Sequence, residues 1–106
     1  MDFIEYQKKT DKTAIYPREY GLMYTLLGLT NEAGEVAGKA KKWLRGDISF
    51  EKLREILRGE IGDVQWYIAQ LCTELNFSLE DIAKENIEKL EDRQMRNVLQ
   101  GEGDDR

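Results

Sequence analysis

Histidine is absent from this chain of 106 residues, and cysteine and proline occur once each. Without histidine no Ser-His or Cys-His catalytic arrangement exists, and most zinc sites are excluded too. The single Cys72 forbids an internal disulfide and suits a reducing cytoplasm, where the chain is expected to reside. Apolar runs are only a few residues long, so no membrane span is expected, nor is a charged-then-apolar leader visible. Positive charge is scarce as well. Sixteen basic against 21 acidic residues give a net charge of −5, which argues against a nucleic-acid backbone as partner. Whatever chemistry this chain performs falls to carboxylates.

What is present reads as helix. Leu, Ile, Val and Phe make up about a quarter of the chain, enough for a folded core and, at this length, for one domain over residues 1–106. Apolar residues recur at steps of three and four, and β-branched alternation is missing. A first helix is expected over 2–11, followed by an extended turn that Pro17 imposes on Tyr16. A long second helix is expected over 18–44, with Leu22, Leu26, Leu29, Ala33, Val36, Ala40 and Trp43 on one stripe. Ser49 is a natural N-cap for a third helix, whose stripe runs Leu53, Ile56, Leu57, Ile61, Val64, Ile68, Leu71 and Leu75. Ser78 opens a fourth, carrying Leu79, Ile82, Ala83, Ile87 and Leu90 to about Leu99, where Gly101 stops it. Residues 100–106 form a polar tail. The expected architecture is all-α, a four-helix bundle-like protomer. Met23, Leu27 and Ala37 lie off the main stripe of the second helix, so the chain is expected to oligomerise through helix packing, as a homodimer or homotetramer.

Acidic residues three apart are common here, and spacing alone decides nothing. Six such pairs occur (Asp2/Glu5, Glu32/Glu35, Glu60/Asp63, Glu85/Glu88, Glu88/Glu91 and Glu102/Asp105), against roughly four by chance on a helical chain. Position relative to the apolar stripe separates them. At about 100° per residue, Glu60 falls among Leu53, Val64 and Leu71, and Asp63 sits at the edge beside Ile56. Glu32 falls between Thr25, Val36 and Trp43, with Glu35 one step further round, whereas Glu88 and Glu91 lie on a charged surface. Four carboxylates therefore face the seam between the second and third helices, where unpaired charge is costly and like charges repel. A divalent cation removes both problems, and an oxygen-only donor set selects Mg²⁺ or Mn²⁺. Gly28, Gly34, Gly38, Gly59 and Gly62 also lie inside these helices, where each costs about 1 kcal/mol relative to alanine. They leave room for a helix, a metal or a phosphate.

Glu32-Ala-Gly-Glu35 and, 24 residues later, Glu60-Ile-Gly-Asp63 resemble the ExxE…ExxD metal signature of the MazG-like, all-α nucleoside triphosphate pyrophosphohydrolases. The segment from Leu27 to Lys39 is similar to the family's second helix. Asn86-Ile-Glu-Lys89-Leu-Glu-Asp-Arg93 is similar to its fourth, and the Gly101–Arg106 tail to that of many small members. Asn31 departs from the pattern, since many members place a further glutamate there.

The resemblance implies Mg²⁺-dependent hydrolysis of a nucleoside triphosphate between the α and β phosphorus atoms, with Glu32, Glu35, Glu60 and Asp63 as metal ligands and catalytic residues. It further implies phosphate contacts from Asn86, Lys89, Arg93 and Lys39, and house-cleaning of the nucleotide pool. Carboxylate-bound Mg²⁺ would reverse the local sign for an anionic substrate and acidify a water. Trp43, Trp66, Tyr67, Tyr16 and Tyr20 are candidates for a base slot, and Cys72 is expected in the core. Two alternatives remain open from the residues: a related enzyme of dUTPase or phosphoribosyl-ATP pyrophosphohydrolase type, or a non-catalytic helical dimerisation module.

Overall fold

The computed structural model describes residues 1–106, which form four helices and no strand: α1 (Phe3–Thr10), α2 (Gly21–Leu44), α3 (Phe50–Glu74) and α4 (Leu79–Met95). Short polar side chains begin three of them. Asp2, Ser49 and Ser78 accept the backbone N–H groups of Glu5, Lys52 and Asp81, satisfying donors that a helix start leaves free. α2 lacks such a cap. Pro17 leads into a single 3-10 turn, Arg18–Tyr20, and Tyr20 (φ −110°, ψ 16°) lies outside the α region, so the regular helix starts three residues later than expected.

The last three helices stop in one way. Gly46, Asn76 and Asn97 each adopt a left-handed conformation (φ 83°, 60° and 59°) just past the helix end. The next amide then turns back to a carbonyl five residues upstream: Asp47 to Lys42, Phe77 to Cys72, Val98 to Arg93. This corrects the end of α4. Asparagine tolerates the left-handed region better than most side chains, so Asn97 terminates the helix and Gly101 lies beyond it. Residues 98–106 fold back on themselves, with the Arg106 guanidinium donating to the Val98 and Leu99 carbonyls.

α2 and α3 form the principal pair, antiparallel and in a defined register. Gly21 faces Glu74, Gly28 faces Tyr67, Glu32 meets Asp63, and Trp43 packs on Phe50 beside the connecting loop. α1 and α4 attach at the opposite end, around Ala69, Cys72 and Leu79, with Tyr6 and Ile68 against them. Gln7 locks that junction. Its amide donates to Thr73 Oγ1 and the Phe77 carbonyl and accepts the Leu79 N–H. Cys72 is buried there as expected, and burial raises its thiol pKa.

A polar network, invisible in the periodicity, ties the segment after α1 to α3. Gln70 is completely buried and donates to Thr10 Oγ1 and Asp11 Oδ1, both at 2.8 Å. The Tyr16 hydroxyl donates to Glu74 Oε1 (2.7 Å) and accepts from Arg18 Nη1 (2.6 Å), which also reaches Glu74 (2.8 Å). Every buried member has a partner, the condition under which such a network stabilises a fold.

The protomer is nonetheless open. Its radius of gyration is 16.7 Å, against about 13 Å for a compact chain of this length, and only ten residues are buried. Leu22, Leu26, Trp43, Ile61, Leu75, Ile82, Ile87 and Leu90, expected to face a core, remain exposed because no element of this chain covers them. Gly34, Gly38, Gly59 and Gly62 likewise face open space. Helix packing inside the protomer therefore does not account for these four glycines.

The Tyr16 hydrogen bond, reinforced by Arg18 against the opposing effect of burial, holds the Glu74 carboxyl below the usual range. Its stabilisation is present above the unfolded pKa of about 4.3 and lost as pH falls through the depressed folded value. Thermal unfolding followed by circular dichroism should show wild type more stable than Glu74→Gln near pH 6, with the gap closing as pH drops below about 4. A gap that stays constant down to pH 3 would contradict this role for Glu74.

Candidate metal centre

Three-residue spacing places Glu60 and Asp63 on one face of α3, and the antiparallel register brings Glu32 of α2 against them. One carboxylate oxygen from each of Glu32, Glu60 and Asp63 lies within 4.8 Å of the other two. Glu32 and Glu60 are half-buried and form the floor, while Asp63 is exposed at the mouth. Glu35, one turn beyond Glu32, is exposed and stands at the rim outside this group of three.

The electrostatics are those of an uncompensated acid cluster. Burial foremost, then the neighbouring charge and hydrogen bonding of Glu35 and the charges of Asp63 and Glu60, push the Glu32 carboxyl above the usual range. Glu60 Oε2 is buried and has no hydrogen-bond partner. An orphaned carboxylate oxygen in a half-buried position is costly unless a cation meets it. The donors are hard oxygens with no nitrogen or sulfur among them, and three protein ligands leave room for the waters that Mg²⁺ characteristically retains. The residues thus fit a hard divalent cation.

The other candidate residues are not drawn into this cluster. Asn86 is exposed on α4, whose contacts run to α1 and α3. Lys89 and Arg93 engage the tail instead. Asp104 Oδ1 accepts from Lys89 Nζ (2.9 Å) and Arg93 Nη2 (3.1 Å), and the Asp104 carbonyl accepts from the same Arg93 nitrogen (2.6 Å). That clasp buries the Arg93 side chain to 5% exposure and, chiefly through the Lys89 hydrogen bond, lowers the Asp104 pKa. Lys39 is half-buried one turn beyond Glu35.

Of the candidate aromatic residues, Trp43 packs beside the α2–α3 loop and Tyr20 is largely exposed. Tyr16, Trp66 and Tyr67 join Tyr24 in a closed group whose neighbouring ring centroids are 4.7–6.4 Å apart. This group abuts the acids. Burial, then a hydrogen bond with Tyr24, then the charges of Tyr24, Glu32 and Asp63 push the Tyr67 phenol up to about 12, so it stays neutral at physiological pH. Sequence reasoning passed over Tyr24 and gave no partner for Gly28. Their signal was positional: Gly28 stands one turn and Tyr24 two turns before Glu32.

The family model described as MazG nucleotide pyrophosphohydrolase domain matches residues 22–97, a span that contains all four acids. The chain is 44% identical to the Gene 37 protein of Mycobacterium phage L5, over 95% of this chain and 96% of that protein. No solved structure matches it significantly.

Repulsion within the cluster and the unpartnered Glu60 oxygen predict a separation of metal response from stability. Mg²⁺ binding only the folded form should stabilise it by about 2.7 kcal/mol at a concentration 100 times the Kd, and the melting temperature should rise with concentration accordingly. Glu60→Gln should abolish that rise and leave the metal-free protein at least as stable as wild type. A strongly destabilised metal-free Glu60→Gln would identify the acid as a structural group instead.

Proposed function

This chain belongs to the MazG nucleotide pyrophosphohydrolase family, and from that membership we propose that it hydrolyses (deoxy)nucleoside triphosphates to the monophosphate and pyrophosphate, with Mg²⁺ as cofactor and Mn²⁺ able to replace it. The observation that carries this reading is the meeting of Glu32, Glu60 and Asp63 around a buried, unpartnered Glu60 oxygen. Those three residues would hold the cation, and Glu35 would complete the set at the rim. When bound, the cation supplies the positive charge that a triphosphate needs on a protein of net charge −5 and polarises the attacking water. Glu35, exposed beside Glu32, would accept the proton that the attacking water loses. Lys89 and Arg93 already share a carboxylate, Asp104, the charge pattern that a phosphate oxygen would also present. They would bind phosphate together with Asn86 and Lys39. The biological task that suits this chemistry is the removal of unwanted nucleotides.

The assembly proposed for this enzyme is a homodimer or homotetramer. Met23, Leu27 and Ile61 are each about 60% exposed in the protomer, and the face around Gly34, Gly38, Gly59 and Gly62 is bare. Apolar surface of that extent, on so open a protomer, calls for a second copy.

Two measurements test these readings. Pyrophosphate release across a panel of nucleoside triphosphates should identify the substrate, and hydrolysis in ¹⁸O water should place the label in the monophosphate. Label in pyrophosphate, or diphosphate and free phosphate as first products, would rule out attack at the α phosphorus. Light scattering at micromolar concentration should give two or four times the 12.4 kDa protomer mass. A monomeric mass would overturn the assembly.

A further inference from the structure

Gly28 and Tyr67 occupy the rung of the α2–α3 pair that adjoins the acid cluster. The Tyr67 ring lies where a side chain on residue 28 would be, and a Cβ there would collide with its Cδ1, Cε1 and Cζ atoms. Glycine in mid-helix is otherwise a poor choice, and no positive φ requires it at this position. The contact itself is what residue 28 serves. The ring is also confined on its other sides. Trp66 packs edge-on at 5.1 Å and Tyr24 lies at 6.2 Å. Trp66 is pinned by its Nε1–H donating to Thr13 Oγ1, and Tyr24 stacks on Tyr16 at 4.7 Å.

The separation of two packed helices is set by the side chains at their contact. Here one turn of helix connects that contact to Glu32 on one side and to Asp63 on the other. Mg²⁺ demands near-ideal geometry with oxygens at about 2.0–2.1 Å, so ligands drawn from two helices depend on how far apart the helices stand. We propose that Tyr67 is a positioning residue of the metal centre: its ring, lodged against Gly28, sets the separation of α2 and α3 at which Glu32 on one helix and Glu60 and Asp63 on the other share one cation. This inference rests on the metal-centre reading above.

The test is Mn²⁺ titration of the chelator-treated full-length protein, read by calorimetry and by the electron paramagnetic resonance of free Mn²⁺, beside metal-free melting curves. Gly28→Ala should lose at least about tenfold in Mn²⁺ affinity, the scale of an outer-shell defect, although alanine is the better helix former. Tyr67→Phe, which keeps the ring, should bind within about twofold of wild type, while Tyr67→Ala should lose as much as Gly28→Ala. Adding Gly28→Ala to Tyr67→Ala should cost no further affinity, because the new methyl enters vacated space and the effects are not additive. Gly28→Ala binding Mn²⁺ as wild type does, or additive losses in the double variant, would overturn the proposal and leave the metal centre standing. Should Gly28→Ala not fold, the comparison decides on Tyr67→Ala against Tyr67→Phe, and equal affinity in those two overturns it. A wild type that binds no Mn²⁺ overturns the metal-centre reading itself, and this proposal with it.

Discussion

The closeness of α2 and α3 is the constraint on which the rest of the structure depends. Two helices each carrying acids on their facing sides would, left to charge alone, keep apart. They are held together by Trp43 on Phe50 at the loop side of the acids and by two glycine contacts on the other side. Glycine at residue 28 lets an aromatic ring reach the backbone of α2, and glycine at residue 21 gives Glu74 the same access one heptad earlier. Those contacts stand seven residues apart on both helices, which locks the antiparallel register. With the register set, Glu32 meets Glu60 and Asp63 as a geometric consequence. The cluster remains electrostatically uncompensated, as the raised Glu32 carboxyl and the orphaned Glu60 oxygen both record.

The far end of the helix pair is built on another principle. Around Gln70 and Glu74 the structure buries polar groups and satisfies them, through Thr10, Asp11, Tyr16 and Arg18. The end of the α2–α3 pair and its middle thus treat charge in opposite ways. At Glu74 the Tyr16 hydroxyl donates to the carboxylate and Arg18 pairs with it, and its pKa falls. At Glu32 burial foremost, and then the charges of neighbouring acids, raise the pKa. Burial alone does not separate the two environments, because Glu32 and Glu74 are both half-buried. The aromatic group joins the two regions. Tyr16 hydrogen-bonds to Glu74 and stacks on Tyr24, which neighbours Tyr67 beside the acids.

α4 and the tail complete the chain without adding to the central pair. The helix leans on α1 and α3 through Leu79 and leaves Ile87 and Leu90 uncovered. Its last turn is covered by the returning tail, in which Asp104 spans Lys89 and Arg93 while Arg106 draws in the Val98 and Leu99 carbonyls. A segment that composition marks only as polar is therefore ordered by charge pairing, with Arg93 buried as a result.

Much of this was legible in the sequence because it follows from local rules. Three-and-four periodicity and short polar caps at Ser49 and Ser78 specify helices wherever they occur, and acids within an apolar stripe mark a seam that needs compensation. Helix ends were less legible. Asn97 ends α4 through a backbone conformation that asparagine permits but does not announce, and glycine at residue 101 was the more obvious but wrong stop. Burial was misread for Leu22, Ile61 and Ile87, since a periodic stripe shows which face is apolar without showing that anything covers it. What only the tertiary structure decided is how separate segments pair: which glycine receives the Tyr67 ring, which carboxylate the Tyr16 hydroxyl donates to, and which acids are left to face one another. Those outcomes depend on register between residues far apart in the chain, and helical periodicity repeats along each segment without saying where one begins against the other.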